Sequence, residues 1–144
     1  MVARRSLAAL LLLPVLAVPA RAEAPLAALP EGGWRVAFPP GEATLPAGAA
    51  AALAELAGEL ARRPAGTGRI TVEGQASGPA HDGSVARRLS LARAQAVRAA
   101  LAAAGLETTR VDLRPLGRTE AALDAADILP PEALPEAPRS GQSR

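Results

Sequence analysis

The clearest candidate for chemistry in this sequence is Arg93, an arginine on the apolar side of a predicted helix. At about 100° per residue, the stretch between Ser84 and Ala104 gathers its apolar side chains in an arc of roughly 120°, with Arg93 near the middle. This arc contains Val85, Leu89, Ala96, Val97, Ala100, Leu101 and Ala104. A permanent cation on a packed face needs an acceptor. Two interpretations stay open: Arg93 meets an anionic ligand in a polar pocket, or it bonds acceptors of the chain itself.

Other residue types that support catalysis are sparse. The chain has no Cys and one His, His81, which stands in a predicted loop without a nucleophile or metal-ligand pattern near it. Glu55 and Glu59 lie one turn apart on an exposed helix face with Arg as neighbours, so they form no acid–base pair. The sequence therefore predicts no enzyme, no metal site and no cofactor.

The elements that must position Arg93 follow from the hydrophobic pattern. Alternating apolar and polar residues or short apolar runs predict strands, and apolar residues at helical spacing predict helices. The predicted order is a strand at 34–38, a helix at 47–63, a strand at 69–74, a helix ending near Ala104, a strand at 110–117 and a short final strand within 119–129. Asp82 or Ser84 is the expected N-cap of the second helix, and Gly105 its stop.

Each predicted helix and strand has one apolar face, which indicates two packed layers. In the first helix that face holds Ala49, Leu53, Leu56 and Leu60. In the strands, Ile70 and Val72 are expected to point inward, with Thr71 and Glu73 outward. The predicted fold is α+β, a β-α-β-α-β(-β) two-layer sandwich in which two helices cover one face of a single mixed sheet.

The chain ends carry targeting and linker patterns. Residues 1–22 read as a secretory signal peptide, with an apolar run too short for a membrane span. Its removal leaves thirteen basic against fourteen acidic side chains, a net charge of −1, so nucleic-acid binding is not predicted. Residues 23–33 are expected to be a linker, 34–129 the folded domain, and 130–144 a disordered Pro-rich tail.

Four stretches within 34–129 resemble the OmpA-like C-terminal domain, the peptidoglycan-associated module of the bacterial envelope. The first, "WRVAFPPGEATLPAGAAAALAELAGELA", is similar to that family's opening strand, turn and first helix. "LSLARAQAV" is similar to that family's Leu-Ser-x-x-Arg-Ala-x-x-Val helix motif and contains Arg93. "ITVEGQAS" stands where the family has a strand ending in Gly-His-Thr-Asp, and "VDLRPLGRT" where it has a strand and Gly-rich turn. The resemblance implies a periplasmic module, associated with the outer membrane through a partner and without an integral span after signal cleavage.

The resemblance also implies a binding site. In the family, the motif arginine and a loop aspartate hold the diaminopimelate end of the peptidoglycan stem peptide, so Arg93 is expected to clamp the ligand carboxylate. Ser77 occupies the aspartate position and Gln75 the His position, while "DAAD" at 124–127 stands where the family has a closing Asn-Arg-Arg run. Asp82 could replace the missing carboxylate. The predicted peptidoglycan-binding residues are Gly74, Gln75, Ser77, Asp82 and Arg93.

Two functional hypotheses follow from these matches and departures. In the first, the domain binds peptidoglycan noncovalently through a stem-peptide carboxylate. In the second, the domain has kept the fold without the ligand and acts through envelope proteins as an interaction or structural component. An open pocket beside Arg93 favours the first, and a guanidinium satisfied by backbone carbonyls favours the second.

Overall fold

A computed structural model describes residues 24–64 and 67–134 of the chain. Within these ranges the elements are β1 (Ala27–Ala28), β2 (Trp34–Ala37), α1 (Ala49–Ala61), β3 (Ile70–Gln75), α2 (Gly83–Ala103), β4 (Val111–Gly117) and β5 (Ala125–Leu129). The predicted signal peptide and residues 135–144 of the predicted tail lie outside the described residues. No helix in the described ranges combines the length and the apolar character needed to cross a membrane.

In the part of the chain that the structure describes, the five strands form one mixed sheet in the order β1-β2-β5-β3-β4. β5 pairs antiparallel with both β2 and β3, while β3 and β4 run parallel and are connected through α2. This is the predicted α+β sandwich with two helices on one sheet. The short final strand of the prediction lies in the middle of the sheet, and all five of its residues are buried.

Helix α1 packs as predicted, with Ala49, Leu53, Leu56 and Leu60 buried on one face. They join Val36, Val72, Val97 and Ile128 in the main hydrophobic core. Because each of these side chains removes an apolar surface from water, the cluster fixes how α1 and α2 lie on the sheet.

Helix α2 begins and ends at the predicted signals. Asp82 is its N-cap and accepts a hydrogen bond from the Ser84 amide at 3.0 Å. Gly105 has φ +102°, a left-handed conformation that glycine adopts at low cost, and there the chain turns away from the helix axis.

The buried face of α2 differs in part from the predicted arc. Val85 is exposed, and the buried positions are Ala86, Ser90, Arg93, Ala94, Val97 and Leu101. The reason is a close approach to β3: a Cβ atom on Gly74 would lie 1.8 Å from the Ser90 carbonyl oxygen. Small residues therefore face the sheet at this end of the helix, and Arg93 lies among them.

Three local expectations differ from the structure. Thr71, predicted to point outward, is buried. Within the predicted linker, Ala27–Ala28 pairs antiparallel with Trp34 and Arg35 and so adds a short edge strand. At the start of the predicted tail, Pro131–Ala133 forms a 3-10 turn, in which Ala133 packs near Gly32. The Ala27–Ala28 segment has no periodic apolar pattern in its sequence. It forms a strand because its backbone pairs with β2.

Candidate functional site

The Arg93 guanidinium is completely enclosed by the protein, with 0% of its side chain exposed. Nε donates to the carbonyl oxygen of Glu42 at 2.7 Å, and Nη2 donates to that of Pro39 at 2.9 Å. Nη1 donates both to the carbonyl oxygen of Gln75 at 2.8 Å and to Oδ1 of Asp124 at 2.7 Å. All three nitrogens therefore have partners from the chain itself.

These partners come from three separated segments, namely the loop between β2 and α1, the end of β3 and the entry to β5. Phe38 closes a further side, with its ring centre 5.2 Å from Arg93 Cζ, a cation–π distance. The fork of a guanidinium suits this task because its N–H groups point in fixed directions. Arg93 thus joins three chain segments at the middle of α2.

The expectation that Arg93 faces an open polar pocket is not met. A ligand carboxylate could reach the guanidinium only by displacing Asp124 or a backbone carbonyl. The described residues line two grooves: one of about 570 Å³ beside Trp34 and Leu56, and one of about 230 Å³ lined by Phe38, Pro39 and Pro46, on the outer side of residues that contact Arg93. Neither is lined by a predicted binding residue.

Asp124 is the acidic partner that the sequence motif did not identify. Its Oδ1 accepts hydrogen bonds from Arg93 and, at 3.0 Å, from the backbone amide of Ser77. Burial alone would raise the pKa of Asp124, but hydrogen bonding from Ser77 and the hydrogen bond and charge of Arg93 outweigh it and lower that pKa. The carboxylate is therefore ionised at neutral pH. It stands beside Ser77, where the family pattern has its loop aspartate.

Arg118 holds the same loop from the outside. Its Nη1 donates to the carbonyl oxygens of Ser77 and, at 2.9 Å, of Gly78, while the side chain remains exposed. Gly78 allows this loop to lie tightly against α2, because a Cβ there would come within 2.7 Å of the Ala86 Cβ. The Ser77–Gly78 segment is therefore held by a partly buried acid, Asp124, and by an exposed base, Arg118.

Gln75 belongs to a polar network on the sheet face opposite the helices. Its Nε2 donates to Asp127 Oδ2 at 3.1 Å, and its Oε1 accepts from the Thr119 hydroxyl at 3.1 Å. Arg35 donates to both Asp127 oxygens, at 2.6 and 2.7 Å, in a bidentate pair. Within this network Gln75 connects β3, β5 and the segment after β4, and its side-chain contacts are internal.

The other predicted site residues have structural contacts as well. Gly74 is where β3 and α2 touch, so it provides space for packing. Asp82 is the N-cap of α2, where its Oδ1 accepts from both the amide and the hydroxyl of Ser84; its role as a replacement for the missing carboxylate stays a prediction. These hydrogen bonds lower the pKa of Asp82, the one from the Ser84 side chain most strongly. In the described ranges, no group of three or more His, Cys, Asp or Glu is placed to hold a metal ion.

The structure thus brings Ser77, Gln75 and Arg93 together and adds Asp124 and Arg118, which sequence reasoning did not select. Asp124 lies in the "DAAD" stretch, which departs from the family pattern in having no arginines. The sequence signal for Asp124 is an acidic residue in this stretch together with Arg93, an arginine on a packed face that needs an acceptor. Arg118 follows Gly117 at the end of β4, within "VDLRPLGRT", where the pattern predicts a strand and turn and assigns no role to the arginine.

Comparison with known proteins places this geometry in a family. The family model of the OmpA family matches residues 37–128, more than half of the chain. No curated protein is significantly similar to the sequence.

Several solved structures have the same fold. The peptidoglycan-associated lipoprotein from Burkholderia pseudomallei aligns with a TM-score of 0.56 at 22% identity, over 66% of this chain and 87% of that one. The OmpA-like domain of FopA1 from Francisella tularensis subsp. tularensis SCHU S4 has a TM-score of 0.52 at 16% identity, over 72% and 75%. The periplasmic domain of Helicobacter pylori MotB, residues 97–256, has a TM-score of 0.53 at 16% identity, over 72% and 83%.

At these identities the solved structures establish a common fold, and the family match over 37–128 establishes membership. It confirms the resemblance inferred from "LSLARAQAV" and the prediction of a binding module as opposed to an enzyme. The chain belongs to the OmpA family.

Proposed function

We propose that this protein is a periplasmic envelope module that binds peptidoglycan noncovalently through the stem peptide. The observation that carries the proposal is the family match, together with the similarity to a solved peptidoglycan-associated lipoprotein. The location is supported by a second similar structure, the periplasmic domain of MotB. Residues 1–22 act as the export signal, and attachment to the outer membrane depends on a partner.

In this proposal Arg93 has a positioning role. Its hydrogen bonds join the loop before α1, the end of β3 and the entry to β5, and so keep the Ser77–Gly78 segment in place. That segment is the wall against which the stem peptide lies. Arg93 stabilises the binding-competent loop without touching the ligand, since its own side chain is fully enclosed.

The test is sedimentation of the purified protein with three preparations: intact sacculi, sacculi stripped of stem peptides by an amidase, and no sacculi. Binding through the stem peptide predicts that the protein pellets with intact sacculi only. Equal pelleting with stripped sacculi would refute the stem-peptide part and place the contact on the glycan. No pelleting by folded protein would refute peptidoglycan binding itself.

A second candidate function is favoured by one specific observation, the saturation of Arg93 by internal acceptors. A domain whose motif arginine is already occupied can serve as an interaction or structural part of the envelope and bind a protein partner. Crosslinking in cells distinguishes the two functions. A protein adduct that survives muramidase digestion supports this second candidate, and adducts that are lost on digestion support peptidoglycan binding.

A further inference from the structure

A groove of about 570 Å³ lies between helix α1 and the short edge strand β1. Apolar side chains form most of its lining, among them the half-buried Trp34 and the buried Leu56. Three exposed charged residues at α1 also line it, namely Glu55, Glu59 and Arg62. An apolar surface beside charges of both signs is suited to a peptide segment that carries the complementary charges.

The charged residues of this groove are largely unpaired. In the described ranges no ion pair includes Glu55 or Arg62, and the one ion pair of Glu59 is with Arg63 at 3.9 Å. Along the helix axis Glu59 and Glu55 lie about 5 and 10 Å from Arg62, at about 1.5 Å per residue. An extended segment that enters at the Arg62 end therefore fits if it carries an acid first and a base roughly two to three residues later, at about 3.1 Å per residue.

The described part of the chain ends beside this groove. Glu132 forms an ion pair with Arg63, and Cζ of Arg63 lies 5.9 Å from the ring centre of Trp34, a groove residue. Leu134 is the last described residue and follows two positions after Glu132. The segment beyond Leu134 therefore starts close to the Arg62 end of the groove.

Ten residues follow Leu134 in the sequence, "PEAPRSGQSR". Glu136 and Arg139 stand three positions apart in the order that the groove requires, acid first and base second. Pro135 and Pro138 favour the extended polyproline conformation, which loses little entropy when it docks on an aromatic surface. In that conformation Arg139 lies roughly 9 Å beyond Glu136, which matches the spacing between the base and the acids of the groove.

We infer that residues 135–144 fold back along α1 and occupy this groove, with Glu136 at Arg62 and Arg139 at Glu55 and Glu59. A segment attached so close to its site needs little intrinsic affinity, because a short linker supplies an effective concentration of about millimolar. The inference is an alternative to the disorder expected for this segment from its composition. It is independent of peptidoglycan binding, since no predicted peptidoglycan-binding residue lines the groove.

The test uses Trp34, the only tryptophan in a chain without tyrosine, so its fluorescence reports on this groove. Acrylamide quenching and the emission maximum are compared between the full chain and a chain that ends at Leu134, with circular dichroism to verify that both are folded. Docking predicts that the truncated chain is quenched more steeply and emits at longer wavelength. Equal quenching and equal emission of the two folded chains would overturn the inference.

Charge reversals supply matched variants. Arg139→Glu should be quenched like the truncated chain. Arg144→Glu makes the same change of charge but should behave as wild type, because position 144 lies about 25 Å beyond Glu136 and the groove spans only about 15 Å of α1. Glu55→Arg should also expose Trp34, and its combination with Arg139→Glu should restore protection. Equal effects of the two tail variants, or a double variant as exposed as Glu55→Arg, would contradict docking.

A peptide titration distinguishes the tail from other occupants. A synthetic peptide of residues 135–144 should protect Trp34 of the truncated chain with saturation, and its Arg139→Glu form should bind roughly fivefold more weakly. Protection of the full chain that is lost on dilution would assign the groove to a second copy. No binding of the peptide at about millimolar concentration would leave the groove to a separate partner. Either of these two results overturns the inference.

Discussion

Replacement of Arg93 by alanine is predicted to destabilise the domain strongly. The variant leaves Asp124 without its cation and removes the donors to the carbonyl oxygens of Pro39, Glu42 and Gln75. Removal of one partner from a buried ion pair costs about 3–5 kcal/mol. A domain of this size has a free energy of unfolding of only about 5–15 kcal/mol, so the loss is a large part of the total.

Urea denaturation followed by circular dichroism measures this effect, with Arg87→Ala as the control. Arg87 is exposed on the same helix, so its removal should change the unfolding free energy by no more than about 0.5 kcal/mol. Arg93→Lys should recover only part of the loss, because an ammonium cannot reach four acceptors in the directions of a fork. If Arg93→Ala unfolds within about 1 kcal/mol of wild type, Arg93 is not the anchor described above.

Three further predictions concern packing, capping and pH. Gly74→Ala should lower the urea midpoint strongly, because its Cβ would lie 1.8 Å from the Ser90 carbonyl oxygen. Gly58→Ala, with open space around its Cβ, should leave the midpoint unchanged or raise it. Equal midpoints for the two variants would contradict this prediction. Asp82→Ala should lower the melting temperature by exposing the first turn of α2, and an unchanged melting curve would argue against the cap. Because the pKa of Asp124 is lower than in the unfolded chain, its contribution to stability is present above about pH 4 and is lost as pH falls through the native pKa. Asp124→Asn should therefore flatten the acid side of a plot of unfolding free energy against pH, and parallel wild-type and variant curves would refute this.

The parts of the fold that could be predicted are those governed by nearby residues. The face formed by Ala49, Leu53, Leu56 and Leu60 depends only on helical period, and the structure confirms it. The cap at Asp82 and the stop at Gly105 depend on backbone groups within one turn. Each of these signals lies within about 20 residues of the element it governs, and such local rules operate wherever the segment folds.

The parts that could not be predicted depend on residues far apart in the chain. β5 is buried on both faces, so it lacks the alternation of a surface strand, and its charged residue Asp127 finds its partner Arg35 at a separation of 92 residues. The partners of Arg93 lie 18 to 54 positions away and are mostly backbone carbonyls, which every residue type carries. A sequence motif can identify the arginine, but its acceptors become visible only in three dimensions.

The position of β5 also affects the order in which the chain can fold. Of the described strands, the last to be synthesised sits between β2 and β3, so the two halves of the sheet have no backbone pairing with each other until it arrives. A chain that emerges gradually from a ribosome or a translocation channel would stay incomplete until about residue 129 is free. Assembly is then a single late event, and a truncation before Ala125 would leave two open strand edges prone to aggregation.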